Sequence, residues 1–401
     1  MHSGVARVGL ASALVAVCGY TIIYLAARDL EPAGFSVFGV FWGAFGLASG
    51  AANGLLQESA REVRETPHGP AEPAPRTRPM RIAAGVGLAA AVLIAGSAPL
   101  WSAHVFAESV WLSVLLLSAG LAGFCLHATL LGMLAGRNRW TEYGALMVTD
   151  AAIRVAVAAA TFVVGWGLAG FLWATVAGAV SWSILLLAAP AARAAARVRP
   201  PGTTAGYLRG AFHSITAAGA SAVLVMGFPV LLKATSGDLG ATGGVVILAV
   251  TLTRAPLLVP LTAMQGNLIA HFVDRREQRL RALLMPTGLV MGIGALGVLG
   301  AGLIGPWLLR TGFGPAYDAD GALLAWLTAA AVAIALLTLT GAAAVAAAQH
   351  RAYSFGWVGA TVASVLLLLL PLGLEIRTVV ALLCGPLIGI AVHLAALARM
   401  R

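Results

Sequence analysis

Charged residues are scarce in this chain: they make up 10% of its 401 residues, and only 15 of them are Asp or Glu. A soluble domain carries about 25% charged residues, so this composition excludes an ordinary soluble domain. Cysteine is also rare, and Cys18, Cys125 and Cys384 fall inside apolar stretches without a CxxC motif. We therefore predict neither a disulfide framework nor a zinc site, and no metal or other cofactor is expected.

Long apolar runs dominate what remains. Hydrophobic residues make up 60% of the chain and the mean hydropathy is +0.92. A run of ~20 apolar residues is long enough to cross a bilayer. The sequence therefore predicts an all-α polytopic membrane protein with about twelve transmembrane helices. The predicted spans are residues 5–27, 35–56, 82–103, 110–135, 144–165, 168–189, 209–232, 242–269, 282–308, 321–346, 355–372 and 378–397.

The distribution of positive charge predicts the orientation. Most of the 25 Lys and Arg residues lie in alternate loops, which the positive-inside rule assigns to the cytoplasm. Both termini are thus predicted to be cytoplasmic, in the cytoplasmic (inner) membrane. The long connection from Gln57 to Met80 is predicted to be a mobile cytoplasmic loop. Basic runs interleaved with aromatics do not occur, so the net charge of +10 does not indicate a nucleic-acid partner.

The chain also looks duplicated. Residues 139–144 read RWTEYG and residues 351–356 read RAYSFG, each at the same place in a six-span half. We predict two six-helix lobes, residues 1–205 and 206–401, related by a pseudo-twofold axis along the membrane normal. Such parallel repeats place the substrate between the halves, near the midplane. Chance similarity among segments rich in Ala, Leu and Gly is the alternative.

One arginine lies near the middle of an apolar run. Arg254 interrupts residues 245–269, and Pro256 and Pro260 follow it. An arginine at mid-bilayer costs ~2.5–3.5 kcal/mol on insertion scales, so a lipid-facing position is excluded. Prolines one turn apart free carbonyls that a neighbour or water must satisfy. We interpret this helix as one that turns its polar side toward a water-filled interior.

Three further segments carry a recognisable pattern: the first hairpin, Leu25–Phe38, the loop Leu309–Tyr317, and the basic residue and proline of Leu252–Pro256. They resemble the polysaccharide transporters of the multidrug and oligosaccharidyl-lipid exporter superfamily, in which the second segment is similar to an F-G-x-x-Y loop. The resemblance implies two lobes that rock to expose a central cavity to each side in turn. It also implies a polyprenyl-linked sugar as cargo, moved from the inner to the outer leaflet.

Such a cargo requires groups that bind phosphates and sugars. Arginine binds phosphate bidentately and stays charged when desolvated, which makes Arg254 a candidate, although it could instead cap carbonyls of a broken helix. Asp150, the only intramembrane acid, and Arg154 lie at i and i+4, as a static ion pair or as a switch opened by phosphate or a proton. Three amides are candidates for sugar contacts or for bonds between helices: Gln265, Asn267 and Asn53.

The leading hypothesis is a flippase, not an enzyme, which exports a polyprenyl-(pyro)phosphate-linked oligosaccharide or a related cell-envelope glycan precursor by alternating access. Its expected partners are the lipid-linked glycan, membrane lipids and polysaccharide assembly enzymes. A drug or cation antiporter of the same superfamily is the first alternative. A membrane glycosyltransferase using Asp29 and Glu31, or a transport-dead assembly scaffold, is the third.

Overall fold

Apolar helices form almost all of the chain. The computed structural model describes residues 2–65, 75–264, 268, 271–273 and 279–399. Within these ranges there is no β-strand, which confirms the all-α prediction. The helices are α1 His2–Arg64, α2 Pro79–Val105, α3 Val110–Gly136, α4 Trp140–Val164, α5 Gly167–Ala177, α6 Ser181–Ala188, α7 Pro190–Ala196, α8 Thr204–Val225, α9 Phe228–Ser236, α10 Gly240–Ala263, α11 Arg279–Phe313, α12 Gly321–Ala346, α13 His350–Leu368 and α14 Leu374–Ala398.

The first helix is two spans joined end to end. Its 63 residues would reach about 95 Å at ~1.5 Å per residue, three times the hydrocarbon thickness. Glu31 breaks it, with φ 53° and ψ 171°, and Pro32 follows. Proline lacks the N–H that would continue the hydrogen bonds of the helix, which explains the break. The break falls where the sequence predicts the first outer loop.

Twelve spans result when the broken helices are divided in this way. Ten helices of the described chain are long and apolar enough to cross a membrane, with α1 counted once. The pair α8 and α9, bent by 63° at residues 226–227, forms an eleventh span. The break in α1 supplies the twelfth, and the predicted number is confirmed.

Two compact units divide the chain. One comprises Met1–Asp29 and Val40–Ala222, and the other comprises Leu30–Gly39 and Val223–Arg401. These units are defined by packing, whereas the lobes at residues 1–205 and 206–401 are defined by a sequence repeat. The lobe bounds therefore stay a prediction.

Each unit is built around the helix that the repeat places fourth in its half. In the first unit α3 is buried over most of its length, and in the second α12 is. Small and branched side chains let neighbouring helices approach these two closely, which is how packing holds helices together in lipid. The core residues are Leu130, Leu134, Leu146 and Leu185 in the first unit, and Leu257, Leu261, Ala331 and Ala335 in the second.

The predicted loop over residues 57–80 differs from the structure at both ends. Helix α1 continues to Arg64, and Arg61 in its last turn forms ion pairs with Glu58, Glu62 and Glu65. At the other end the backbone before α2 is hydrogen-bonded, as Thr77 N donates to Pro200 O at 2.9 Å. Residues 66–74 lie outside the described residues.

Candidate functional site

Asp150 and Arg154 form an ion pair inside the membrane-spanning part of the first unit. Both lie on α4, one turn apart, with Arg154 Nε 3.1 Å from Asp150 Oδ2 and Arg154 Nη2 donating to Oδ1 at 3.2 Å. Their side chains are 14% and 13% exposed. The guanidinium carbon also lies 5.3 Å from the centroid of the Phe45 ring. A desolvated cation is stabilised both by the carboxylate and by the ring face.

A helix break lies directly against this pair. Residues Gly178–Val180 form a turn of 3-10 helix between α5 and α6. A Cβ at Gly178 would lie 2.7 Å from Arg154 Nε, closer than side-chain carbons are found. Only glycine therefore lets the broken span approach the ion pair. Mid-helix 3-10 turns often mark places where a span changes shape.

His127, which the predicted site did not include, lies at this break. It is buried on α3, and its Nδ1 is 2.9 Å from the hydroxyl of Ser181, the first residue of α6. Its ring is stacked on Phe124, and it interacts electrostatically with Asp150 and Arg154. The signal available beforehand was a histidine inside an apolar span, where ionisable groups are costly.

The second unit contains a matching contact with the two partners exchanged. His393 Nδ1 on α14 is 3.1 Å from Thr340 Oγ1 on α12, and its Nε2 donates to the Tyr353 carbonyl at 3.3 Å. Ser181 and His393 occupy equivalent positions in the repeat, because they are as far apart in sequence as Arg139 and Arg351, which begin RWTEYG and RAYSFG. The separation of His127 and Thr340 differs from that interval by one residue. Each half thus links its fourth and sixth spans by a histidine–hydroxyl hydrogen bond, which supports the predicted duplication.

Arg254 holds a broken helix in the second unit. Arg254 is 7% exposed, and its Nη1 donates a hydrogen bond to the carbonyl of Val225 at 3.0 Å. Val225 is the last residue of α8, and the first residue of α9, Phe228, presents its ring 5.3 Å from the guanidinium carbon. The arginine thus caps one helix end and is stacked on the start of the next. A phosphate-binding role for Arg254 stays a prediction.

Asn53, Gln265 and Asn267 are the remaining predicted residues. Asn53 is half-buried on α1 in the first unit. Gln265 and Asn267 lie outside the described residues. Within the first unit the structure brings together Asp150, Arg154, His127 and Ser181, and Arg254 belongs to the second unit.

Mycobacterial proteins are similar to this chain along nearly its full length. The uncharacterized protein Rv3630 of Mycobacterium tuberculosis is 72% identical over 98% of the chain and 92% of its own length. The uncharacterized protein Rv1510 of the same organism is 70% identical over 99% and 92%. The chain belongs to the family of these mycobacterial proteins. Their names state no activity, so membership alone assigns none, and no protein-family model matches.

Solved structures identify the fold. An inward-facing multidrug resistance MATE family transporter of the MOP superfamily aligns with a TM-score of 0.75 and 14% identity, over 96% of this chain and 95% of the other. An outward-facing MATE transporter aligns at 0.67 and 16%, over 99% and 96%. A MOP superfamily transporter from Pyrococcus furiosus aligns at 0.62 and 14%, over 98% and 95%. The chain therefore has the fold of MATE transporters.

Proposed function

We propose that the protein is a membrane transporter that works by alternating access and moves an anionic, polyprenyl-(pyro)phosphate-linked glycan precursor from the inner to the outer leaflet. The fold supports transport, since an inward-facing and an outward-facing MATE transporter both align along nearly the whole chain. The inner membrane, with both chain termini in the cytoplasm, is the proposed location, because the loops rich in arginine lie on the side that contains them.

The observation that carries the choice of cargo is the Asp150–Arg154 ion pair. Asp150 is the only acid within the predicted spans, and both of its carboxylate oxygens lie within 3.2 Å of the guanidinium of Arg154. A carboxylate neutralised in this way offers little to a cationic drug. Arginine is in excess over acid in the spans, which favours an anion.

The pair also supplies a mechanism. A phosphate entering beside Arg154 competes with Asp150 for the planar donor edge of the guanidinium, because both anions accept the same bidentate hydrogen bonds. Exchange of one anion for the other frees Asp150. The 3-10 turn at Gly178 packs against both members of the ion pair, so a change in the pair alters its contacts with this turn. The membrane potential, worth ~2.3 kcal/mol per charge per 100 mV, favours outward movement of the anion.

A drug or cation antiporter is the second candidate. The observation that favours it is the fold itself, since two of the aligned structures are multidrug resistance transporters. In that case the cation would take the place of Arg154 beside Asp150. The two candidates therefore assign opposite roles to the two members of the ion pair.

Single substitutions in the pair separate the candidates. Arg154→Gln is expected to slow flipping of a fluorescent polyprenyl-pyrophosphate oligosaccharide in proteoliposomes by about 10- to 100-fold, because a charge-assisted hydrogen bond of ~1.5–3 kcal/mol is lost. Asp150→Asn is expected to retain flipping, since Arg154 keeps its charge. Rates are normalised to folded protein measured by size-exclusion chromatography.

Arg310→Gln is the matched control. Arg310 pairs with Asp318 at 3.0 Å, but their side chains are 55% and 63% exposed, and exposed pairs contribute little. This variant is expected to flip at the normal rate. Loss of cation export in Asp150→Asn, together with normal glycan flipping in Arg154→Gln, would replace the flippase proposal with the antiporter.

A further inference from the structure

A groove rich in arginine lies in the first unit, between the beginning of α2 and the beginning of α8. It has a volume of about 580 Å³. Arg76, Arg78 and Arg81 line one part of it. Apolar side chains of the two helices line the rest, among them Ile82, Val86 and Leu208. The groove is therefore amphipathic, with guanidinium groups at the end of the membrane span and hydrocarbon along the helices.

The backbone that carries these arginines is fixed rather than loose. The segment before α2 pairs with the segment before α8 through an isolated antiparallel bridge between Arg76 and Pro201. Thr77 N donates to Pro200 O at 2.9 Å, and Gly202 N donates to Pro75 O at 2.8 Å. The Thr77 side chain is buried beneath this bridge. The segment that carries Arg76, Arg78 and Arg81 is thereby held against a distant part of the sequence.

The local charge is positive. None of the described residues that line the groove is acidic. The positive charges of Arg199 and Arg81 lower the pKa of the Arg78 guanidinium. Guanidinium groups that repel one another in this way are stabilised by an anion placed between them, and phosphate matches their donor geometry.

We propose that this groove binds an anionic membrane phospholipid, with its phosphate between Arg78 and Arg81 and one hydrocarbon chain along Ile82 and Val86. Basic sites between transmembrane helices on the cytoplasmic side suit anionic lipid headgroups. A free phosphate ion would leave the apolar wall exposed to water, whereas a lipid covers it. This site is distinct from the ion pair of Asp150 and Arg154 and does not depend on which cargo is transported.

Lipid binding to the full chain tests the proposal. The purified protein is mixed in detergent with dioleoyl phosphatidylglycerol or dioleoyl phosphatidylcholine, and bound lipid is counted by native mass spectrometry. The wild-type chain is expected to prefer phosphatidylglycerol. The double variant Arg78→Gln, Arg81→Gln is expected to bind it about 30-fold more weakly, the product of two arginine–lipid contacts.

The matched control removes two arginines from another cavity. Arg137 and Arg139 line a cavity with Arg64 and Asn138, and Val63 is the only large apolar side chain among the described residues that line it. Arg137→Gln, Arg139→Gln is expected to leave phosphatidylglycerol binding within about twofold of the wild type, because this cavity offers little surface to a hydrocarbon chain. An equal loss in both double variants would mean that net charge alone attracts the lipid, and would overturn the proposal.

A second variant fills the groove and leaves every charged residue unchanged. Gly85 lines the groove, and a Cβ there would meet nothing within 4 Å, so a larger side chain fits without displacing backbone. Gly85→Phe is expected to abolish the preference for phosphatidylglycerol. The proposal fails if this variant binds normally, if excess inorganic phosphate displaces the lipid, or if only a polyprenyl pyrophosphate binds.

Discussion

Replacing Arg254 with alanine is expected to destabilise the folded protein by about 2–4 kcal/mol. A buried carbonyl left without its donor costs about 1–3 kcal/mol, and the stacking on Phe228 contributes about 0.5–2 kcal/mol more. Both contacts hold the ends of the broken span, since Val225 ends one helix and Phe228 begins the next. The measurement is the melting temperature in detergent, with wild type and variant purified side by side.

Two further variants separate the structural role of Arg254 from a role in phosphate binding. Phe228→Leu removes the ring beneath the guanidinium but keeps the charge, and Arg254→Lys keeps the charge but loses the planar fork. If Arg254 only holds the helix break, all three variants melt earlier while flipping per folded molecule is unchanged. If it also binds the cargo phosphate, flipping falls about tenfold or more in Arg254→Ala and is retained in Phe228→Leu.

Cells that depend on this gene provide the second readout for Arg254. Accumulation of lipid-linked glycan in the inner leaflet, with the variant present at normal levels, would support phosphate binding. An Arg254→Ala protein that melts at the wild-type temperature would contradict the capping role, because the Val225 carbonyl would then have no need of this donor.

Helix number and position could be predicted because they depend on local hydropathy. The predicted span 321–346 coincides with α12, Gly321–Ala346. Apolar length is set by the bilayer and requires no knowledge of tertiary contacts. The structure has a turn between the predicted spans 144–165 and 168–189, where Gly165 and Gly167 both have positive φ, 75° and 59°, which glycine adopts without strain.

The helix breaks inside the predicted spans could not be predicted from the sequence. The chain contains 48 glycines, and nothing local distinguishes Gly178 from the glycines of continuous helices. Conversely, Pro256 and Pro260 lie inside the continuous helix α10, so proline alone does not mark a break. The carbonyl that Arg254 caps belongs to α8, 29 residues earlier, and not to its own helix. A contact of that kind follows from packing and not from periodicity.

The roles of ionisable groups depended on the same long-range contacts. The spacing of Asp150 and Arg154 was sufficient to predict their ion pair, because i and i+4 residues share a helix face. The addition of His127 and Ser181 to this site required α3 and α6 to be placed beside it. Sequence reasoning therefore found the part of the site that lies on one helix and missed the part contributed by others.

The largest loss of stability is expected at Gly54, in the second half of α1. A Cβ at this position would overlap the backbone of Ile215 on α8, and one turn earlier a Cβ at Gly50 would lie 2.7 Å from the Ala222 Cβ. Gly54→Leu therefore forces two helices of the first unit apart. Overpacking against flexible side chains already costs about 1–3 kcal/mol, and backbone yields less readily, so we expect about 3 kcal/mol or more.

Gly9→Leu is the control for that substitution, because it makes the same chemical change on the same helix. A Cβ at Gly9 would meet nothing within 4 Å. Gly54→Leu is expected to leave little folded protein after size-exclusion chromatography, whereas Gly9→Leu behaves as wild type. Close approach of small residues is the main means by which helices associate in lipid, where no hydrophobic force acts between them. Normal folding of Gly54→Leu would mean that α1 and α8 are held by contacts other than this glycine.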